Sequence, residues 1–337
     1  VTQLEVRELE RAEFPAWDEL VAGSAQGMVF HTSDWLVNNA LLLDQPLVLL
    51  GCYEHEELIG GCPLYLSRPY HVLQVASSKA VSTPYGGILI SPIERAKQRA
   101  REMHANRVIT AILNHIARQR FDYVDLVNSP GLQDIRAFTQ QGWNPTVYYT
   151  YILPLEDDIL KSTSKDVRQN IRKAQRQGIH SGRRFDPGIL WDLLVRTFAK
   201  QGKEPLLSRK HLEGLLELIK EKGIGEMQVA STPTGEVIAA EVIVWDAKMA
   251  HSWLAVASPE HLSTGAASLL CYDDCCSLQE RDHGMINLMA GNIPHLSSFI
   301  SGFNPRLVPY YGADYPRLRY RIVKRLKNSV SLGGASG

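Results

Sequence analysis

The run KDVRQNIRKAQRQG, Lys165 to Gly178, sets five basic side chains against one acid. Over the whole chain the charges cancel, with 36 Lys and Arg against 36 Asp and Glu in 337 residues. Arg168, Arg172 and Lys173 offer cations suited to phosphate, because the planar fork of arginine pairs phosphate oxygens bidentately. The competing reading is a solvated amphipathic helix, with Ile171 and Ala174 on its buried face and Gly178 as its stop. Glu241 is the second group with chemistry in it. It lies inside the apolar run VIAAEVIVW, in step with Ala239, Ile243 and Trp245. A carboxylate there must face a cleft or find a partner, since an unpaired buried charge is costly. Burial also raises its pKa toward that of a general base; the alternative is a strand-edge carboxylate in an ion pair. His251 and Trp253 on the following strand stand where they can line the same cleft.

Other chemistries find little support. The sequence has no Walker loop, GxGxxG, HExxH or GxSxG, and HEEL at His55 falls one ligand short of a zinc helix. Cys271, Cys275 and Cys276 share one expected helix, and Cys52 and Cys62 sit in apolar strands. An odd count without framework spacing reads as reduced, buried thiols rather than disulfides or a metal site. Zero net charge argues against a dedicated nucleic-acid coat. No apolar run is long enough to span a bilayer, and the start is too charged for a signal peptide, so the expected location is cytoplasmic. From Tyr315 to Gly337 there are no acids, while Arg317, Arg319, Arg321, Lys324, Arg325 and Lys327 crowd together. This tail suits RNA or an anionic membrane face, or it is a solvated helix with a disordered SLGGASG end.

The elements that position these residues occur twice. WDELV at Trp17–Val21 returns as WDLLV at Trp191–Val195. EELIGGCPLYL from Glu56 is echoed by GEVIAAEVIVW from Gly235, and GWNP at Gly142–Pro145 by GFNP at Gly302–Pro305. The matches keep their order, which is the mark of a tandem duplication. Each half reads as an opening helix, two strands joined by a polar turn, and a third strand (YGGILIS or AHSWLAVAS). A long helix follows (Glu94–Arg120 or Thr264–Arg281), then a strand, a short helix and a last strand, TVYYTYIL or RLVPYYG. Strands clustered before one major helix predict α+β layers rather than a doubly wound sheet.

This doubled order resembles the tandem GNAT-fold acyltransferases, and among them the Fem-type (FemAB and FemX) family. The landmarks are YYTYILPLEDD leading into RQNIRKAQRQG, the GEVIAA strand, and INLMAGN followed by FISGFNP. The resemblance covers roughly Phe14 to Tyr315 and implies transfer of amino acids from aminoacyl-tRNA. It places Arg168, Arg172 and Lys173 at the mouth between the copies. It also implies a donor pyrophosphate at a helix N-terminus, where backbone N–H groups are natural anion ligands. LSTGAA at Leu262–Ala267 supplies Gly265, Ala266 and Ala267 there, with Leu262 in the place of the usual Gln or Arg. The plain alternative is a helix start capped by Ser263 or Thr264. TPYGG, with Tyr85, Gly86 and Gly87, matches a pocket segment of the family, or else is a hairpin bend. Two family features are missing: Ile300 stands where a lysine is expected, and the pocket glycines run on into apolar GGILIS without the usual acid.

The expected fold is therefore α+β, two tandem GNAT-like domains related by internal duplication. The expected division is an N-terminal domain over residues 1–153, a basic connecting helix at 154–182, a C-terminal domain over 183–323 and a tail at 324–337. The expected activity is acyl transfer to an amine in the cleft between the copies, with Glu241 as catalytic group. No tightly bound cofactor and no metal is expected. The donor is aminoacyl-tRNA or, alternatively, acyl-CoA, and the acceptor an amine-bearing small molecule or peptide. A catalytically dead module that binds such an acceptor is the reading from another class, supported by the missing lysine.

Overall fold

The computed structural model of the chain describes residues 4–156 and 158–333. Its contacts divide into two compact units, one of residues 1–147 and 310–337 and one of residues 148–309.

The first half opens with β1 (Glu5–Glu8), α1 (Phe14–Gly23) and α2 (Ser33–Leu43). A hairpin follows, β2 (Leu47–Glu54) with β3 (Glu57–Ser67), then the short β4 (Val75–Ser77) and β5 (Leu89–Ile90). The long α3 (Gln98–Arg118), β6 (Tyr123–Val127), α4 (Arg136–Gln140) and β7 (Asn144–Pro154) complete it. On one face of this sheet, Val108, Ile109, Ile112, Leu113 and Ile116 repeat at helical spacing along α3 and pack on Leu50, Cys52, Cys62 and Leu126. On the other, Trp17 of α1 packs with Leu49, Tyr65 and Leu89. Gly61 of β3 makes room for it, since a Cβ there would stand 2.4 Å from the indole.

The second half repeats the succession after α5 (Ile159–Ser162) and α6 (Lys165–Arg176). Its elements are β8 (His180–Arg183), α7 (Pro187–Ala199), α8 (Arg209–Lys222), β9 (Gly225–Ser231), β10 (Val237–Trp245), β11 (Ala250–Ala257), α9 (Ala266–Gln279), β12 (Met285–Met289), α10 (Pro294–Ser301) and β13 (Arg306–Pro316). The chain closes with α11 (Leu318–Gly333). The expected disordered end begins inside α11, and residues 334–337 lie outside the described residues.

Strand order is the same in both units. In the first, β1, β2, β3 and β4 are successive antiparallel neighbours, β4 runs parallel to β6, and β6 is antiparallel to β13. In the second, β8, β9, β10 and β11 are successive antiparallel neighbours, β11 runs parallel to β12, and β12 is antiparallel to β7. The last strand is thus exchanged. The strand that ends the first half serves the second unit from Tyr148, and the strand that ends the second half serves the first unit from Tyr310. A division by position along the chain, at 153, 182 and 323, misses this exchange because strand pairing is not local.

Two further differences have local causes. Each unit has two helices before its hairpin, not one. The first-half counterpart of β11 is β4, not YGGILIS, in which Leu89–Ile90 pairs with Gly60 and Gly61 of β3 and Gly86 makes a single bridge to Asn128. Among the described residues no helix is long and apolar enough to cross a membrane.

Candidate functional site

The parallel pair in the second unit opens where its ladder stops. β11 and β12 pair only through Ala250 with Ile286 and His251 with Asn287, although β11 continues to Ala257. On its other edge β11 stays paired with β10, but Val242 faces Leu254 and Ile243 faces Ser252, so Trp253 is an extra residue in a bulge. Trp253 is half-buried and His251 fully buried, with its Nε2 3.8 Å from an Asp246 carboxylate oxygen. Opposite, β12 ends at Met289, which like the Ala290 after it lies at φ +56, and Gly291 follows. Consecutive left-handed residues with side chains persist only where their surroundings hold them. Here Asn287 Oδ1 accepts from the Met289 N–H at 3.0 Å and from the Thr150 hydroxyl at 2.6 Å. Asn292 also pairs both ways with the backbone of Tyr149, at 2.9 and 3.0 Å. The β11–β12 ladder thus stops after two pairs, between a bulged strand and one that ends in a braced turn.

The basic helix is part of this unit rather than a connector. Ser164 caps it by accepting from the Val167 N–H, and its own N–H donates to the Gly302 carbonyl at 2.7 Å. Val167, Ile171 and Ala174 are buried on one stripe, and Gly178 at φ +70 ends the helix. The structure separates the three cations. Arg168 donates to the Thr163 carbonyl and so finishes α5. Lys173 Nζ donates to the Ser263 carbonyl at 2.5 Å, tying α6 to the loop before α9. Arg172 is exposed and, with Gln169, Gln175 and Arg176, lines a solvent-open hollow of about 500 Å³.

Gly265, Ala266 and Ala267 stand at the start of α9, with Gly265 at φ +85 in the N-cap position and without a side chain to cap it. Ala266 N–H meets the Thr264 hydroxyl at 3.2 Å. Gly265 also meets α6 directly, since a Cβ on it would stand 2.2 Å from the Asn170 carbonyl oxygen. The glycine therefore permits the close approach of the two helices.

Glu241 does not face an opening. It is 4% exposed on β10 and turned toward α9, where its carboxyl meets that of Asp274, 1% exposed. Ser252 Oγ donates to Glu241 Oε1. No N–H or O–H from another described residue reaches either oxygen of Asp274. Burial pushes both carboxyls up from the usual range, Asp274 the further because Glu241 also repels its negative form. One proton held between them gives each a partner. The hydrophobic neighbours of this pair include Cys271 and Cys275, both buried.

Tyr85, Gly86 and Gly87 are interior. Tyr85 is 1% exposed and packs edge-on against Tyr310, with centroids 5.1 Å apart. His31 Nδ1 accepts from the Met28 N–H at 3.2 Å, which leaves Nε2 to donate to the Gly86 carbonyl at 2.7 Å. Gly87, at φ +77, lies against Asn128, whose Oδ1 accepts from Ile88 N–H at 3.0 Å. This segment packs beside β4 and β6 in the first unit. Ile300, in the place of the expected lysine, is 7% exposed in the core of the second unit.

Residue types alone did not reveal Asp274, Asn287 or the Met289–Ala290 turn. The signal for Asp274 was the acid pair Asp273–Asp274 inside the otherwise apolar CYDDCC run, with Asp274 one turn from Cys271.

Residues 161–295 match the model of the acetyltransferase (GNAT) domain. Among solved structures, FemX shares 11% identity over 96% of this chain and 99% of its own, with a TM-score of 0.68. A tandem GNAT protein of the clavulanic acid biosynthesis pathway shares 12% identity over 93% and 98%, with a TM-score of 0.58. L-PGS from Bacillus licheniformis shares 12% over 96% and 97%, with a TM-score of 0.55. No curated protein matches the sequence. The shared strand order of both units gives this chain a tandem GNAT fold similar to that of FemX, and the match over residues 161–295 makes that part an acyltransferase domain of the acetyltransferase (GNAT) type.

Proposed function

We propose that the protein transfers an aminoacyl group from aminoacyl-tRNA to an amine, at the opening between β11 and β12. The observation that carries this reading is the seating of α6 on the loop before α9. It brings Asn170 against Gly265 and leaves Arg172 and Arg176 facing solvent across a hollow lined by amide and guanidinium groups. A polynucleotide presents successive phosphates that such a face can follow, with arginine forks on their oxygens. The reacting ester carbonyl would lie beyond the His251–Asn287 pair, flanked by Trp253. There the acceptor amine forms the new C–N bond, the ester C–O bond breaks, and the ribose oxygen leaves with the proton the amine gives up. Backbone N–H groups on the diverging strands would stabilise the oxyanion, and holding the amine and ester together supplies much of the rate. Glu241, shut in against α9, takes no part as a base.

Acyl-CoA is the second reading. It is favoured by the match to an acetyltransferase domain that includes Gly265, Ala266 and Ala267, whose N–H groups would meet the donor pyrophosphate. Charged tRNA and acetyl-CoA, each incubated with the protein and a mixture of amines, separate the two. Label transferred only from tRNA is expected. Transfer only from acetyl-CoA, with thermal protection by coenzyme A and none by RNA, overturns the first reading.

A further inference from the structure

We propose that α11 docks the first unit on an anionic phospholipid surface, a role independent of the donor used at the other unit. Contacts hold one side of the helix. Tyr320 stacks on Tyr123 with centroids 4.3 Å apart and planes 14° apart, Val323 is half-buried, and Arg317 just before the helix donates to the Ala117 carbonyl. The outward stripe is neither polar nor apolar throughout. Leu318 is 72% and Ile322 48% exposed, four residues apart and so on one face. Arg319, Arg321, Lys324 and Arg325 are exposed around them. Arg120 joins Arg317, Arg319 and Arg321 around a hollow of about 670 Å³ at the start of the helix. Asp122 enters the same hollow, 3.7 Å from Arg319, and no acid occurs from Tyr315 onward.

The mixture selects the partner. Phosphates of a polynucleotide would use the cations but leave Leu318 and Ile322 in water. A bilayer uses both, because aliphatic tips enter the boundary between headgroups and acyl chains while arginines and lysines meet anionic headgroups. The opposite side of the helix is already occupied by Tyr123, so the apolar pair faces the membrane without any part of the unit unfolding.

The full-length protein is sedimented with vesicles of phosphatidylglycerol and phosphatidylcholine, and with vesicles of phosphatidylcholine alone. Binding to the anionic vesicles only, weakening with salt, is expected. Leu318→Ser with Ile322→Ser, and separately Arg319→Gln with Arg321→Gln, should each lower the bound fraction by about fivefold or more. Unchanged circular dichroism and melting show that these exposed replacements leave the fold intact. No binding to anionic vesicles overturns the proposal, and so does binding that ignores the Leu318 and Ile322 replacements. Binding to bulk tRNA that depends on Arg319 and Arg321, with none to vesicles, assigns the surface to nucleic acid instead and overturns it equally.

Discussion

The carboxyl groups of Glu241 and Asp274 face each other in the interior of the second unit, joining β10 to α9, with the Ser252 hydroxyl donating to Glu241. Both are raised above their ordinary values, so the folded state holds a proton that the unfolded chain releases near pH 4. A group raised on folding contributes stability that is present in full below its unfolded pKa and lost as pH rises through its folded one. Stability from this pair therefore declines from about pH 4 upward. Asp274→Asn supplies an N–H donor and removes one titration. The variant should gain about 1–3 kcal/mol over the wild type on the alkaline side and little at the acid end. Urea unfolding of both proteins across pH measures the difference; a constant difference at every pH means the carboxyls share no proton.

The cations of α6 should divide by role. Arg172→Gln with Arg176→Gln should weaken donor binding tenfold or more, about 1.4 kcal/mol. It should also flatten the salt dependence of binding and leave the melting temperature unchanged. Arg168→Gln should do the reverse, costing about 1 kcal/mol of stability through the lost bond to Thr163, with binding by the folded fraction preserved. Equal effects of the two changes on binding would refute the division.

Gly265→Ala tests the seating of α6 on α9. At φ +85 an alanine is strained by about 1–2 kcal/mol, and its Cβ cannot share space with the Asn170 carbonyl. A lower melting temperature is expected, together with faster amide exchange in α6 than in α7. A variant as stable as the parent, with α6 still protected, would contradict the close approach.

Phe303 and Trp143 each close the turn after a short helix. Phe303 packs on Phe299 with centroids 5.7 Å apart, and Trp143 on Phe138 at 5.9 Å, both edge-to-face. Their relative exposures are 0% and 4%. Replacing either with alanine should cost about 3–5 kcal/mol by denaturant unfolding. A cost below about 1 kcal/mol for one of them would show that the two turns do not carry equal loads.

Local order was legible along the chain. Ser164, the Val167–Ile171–Ala174 stripe and Gly178 mark α6 from cap to stop, because a helix is written in residues three and four apart. The repeated motifs likewise announced two similar units, and LSTGAA a helix start, since each signal lies within a few neighbouring residues. The partners came from elsewhere. Arg168 and Lys173 looked like free cations until backbone carbonyls of Thr163 and Ser263 met them, and every residue carries such a carbonyl, so composition cannot flag the one chosen. Glu241 looked like a base facing a cleft until α9 brought Asp274 to it from 33 positions away. The exchanged last strands are the same case at larger scale: alternation predicts that 146–153 and 306–312 are strands, but the sheet each one joins depends on hydrogen bonds to segments far along the chain, which only the folded backbone aligns.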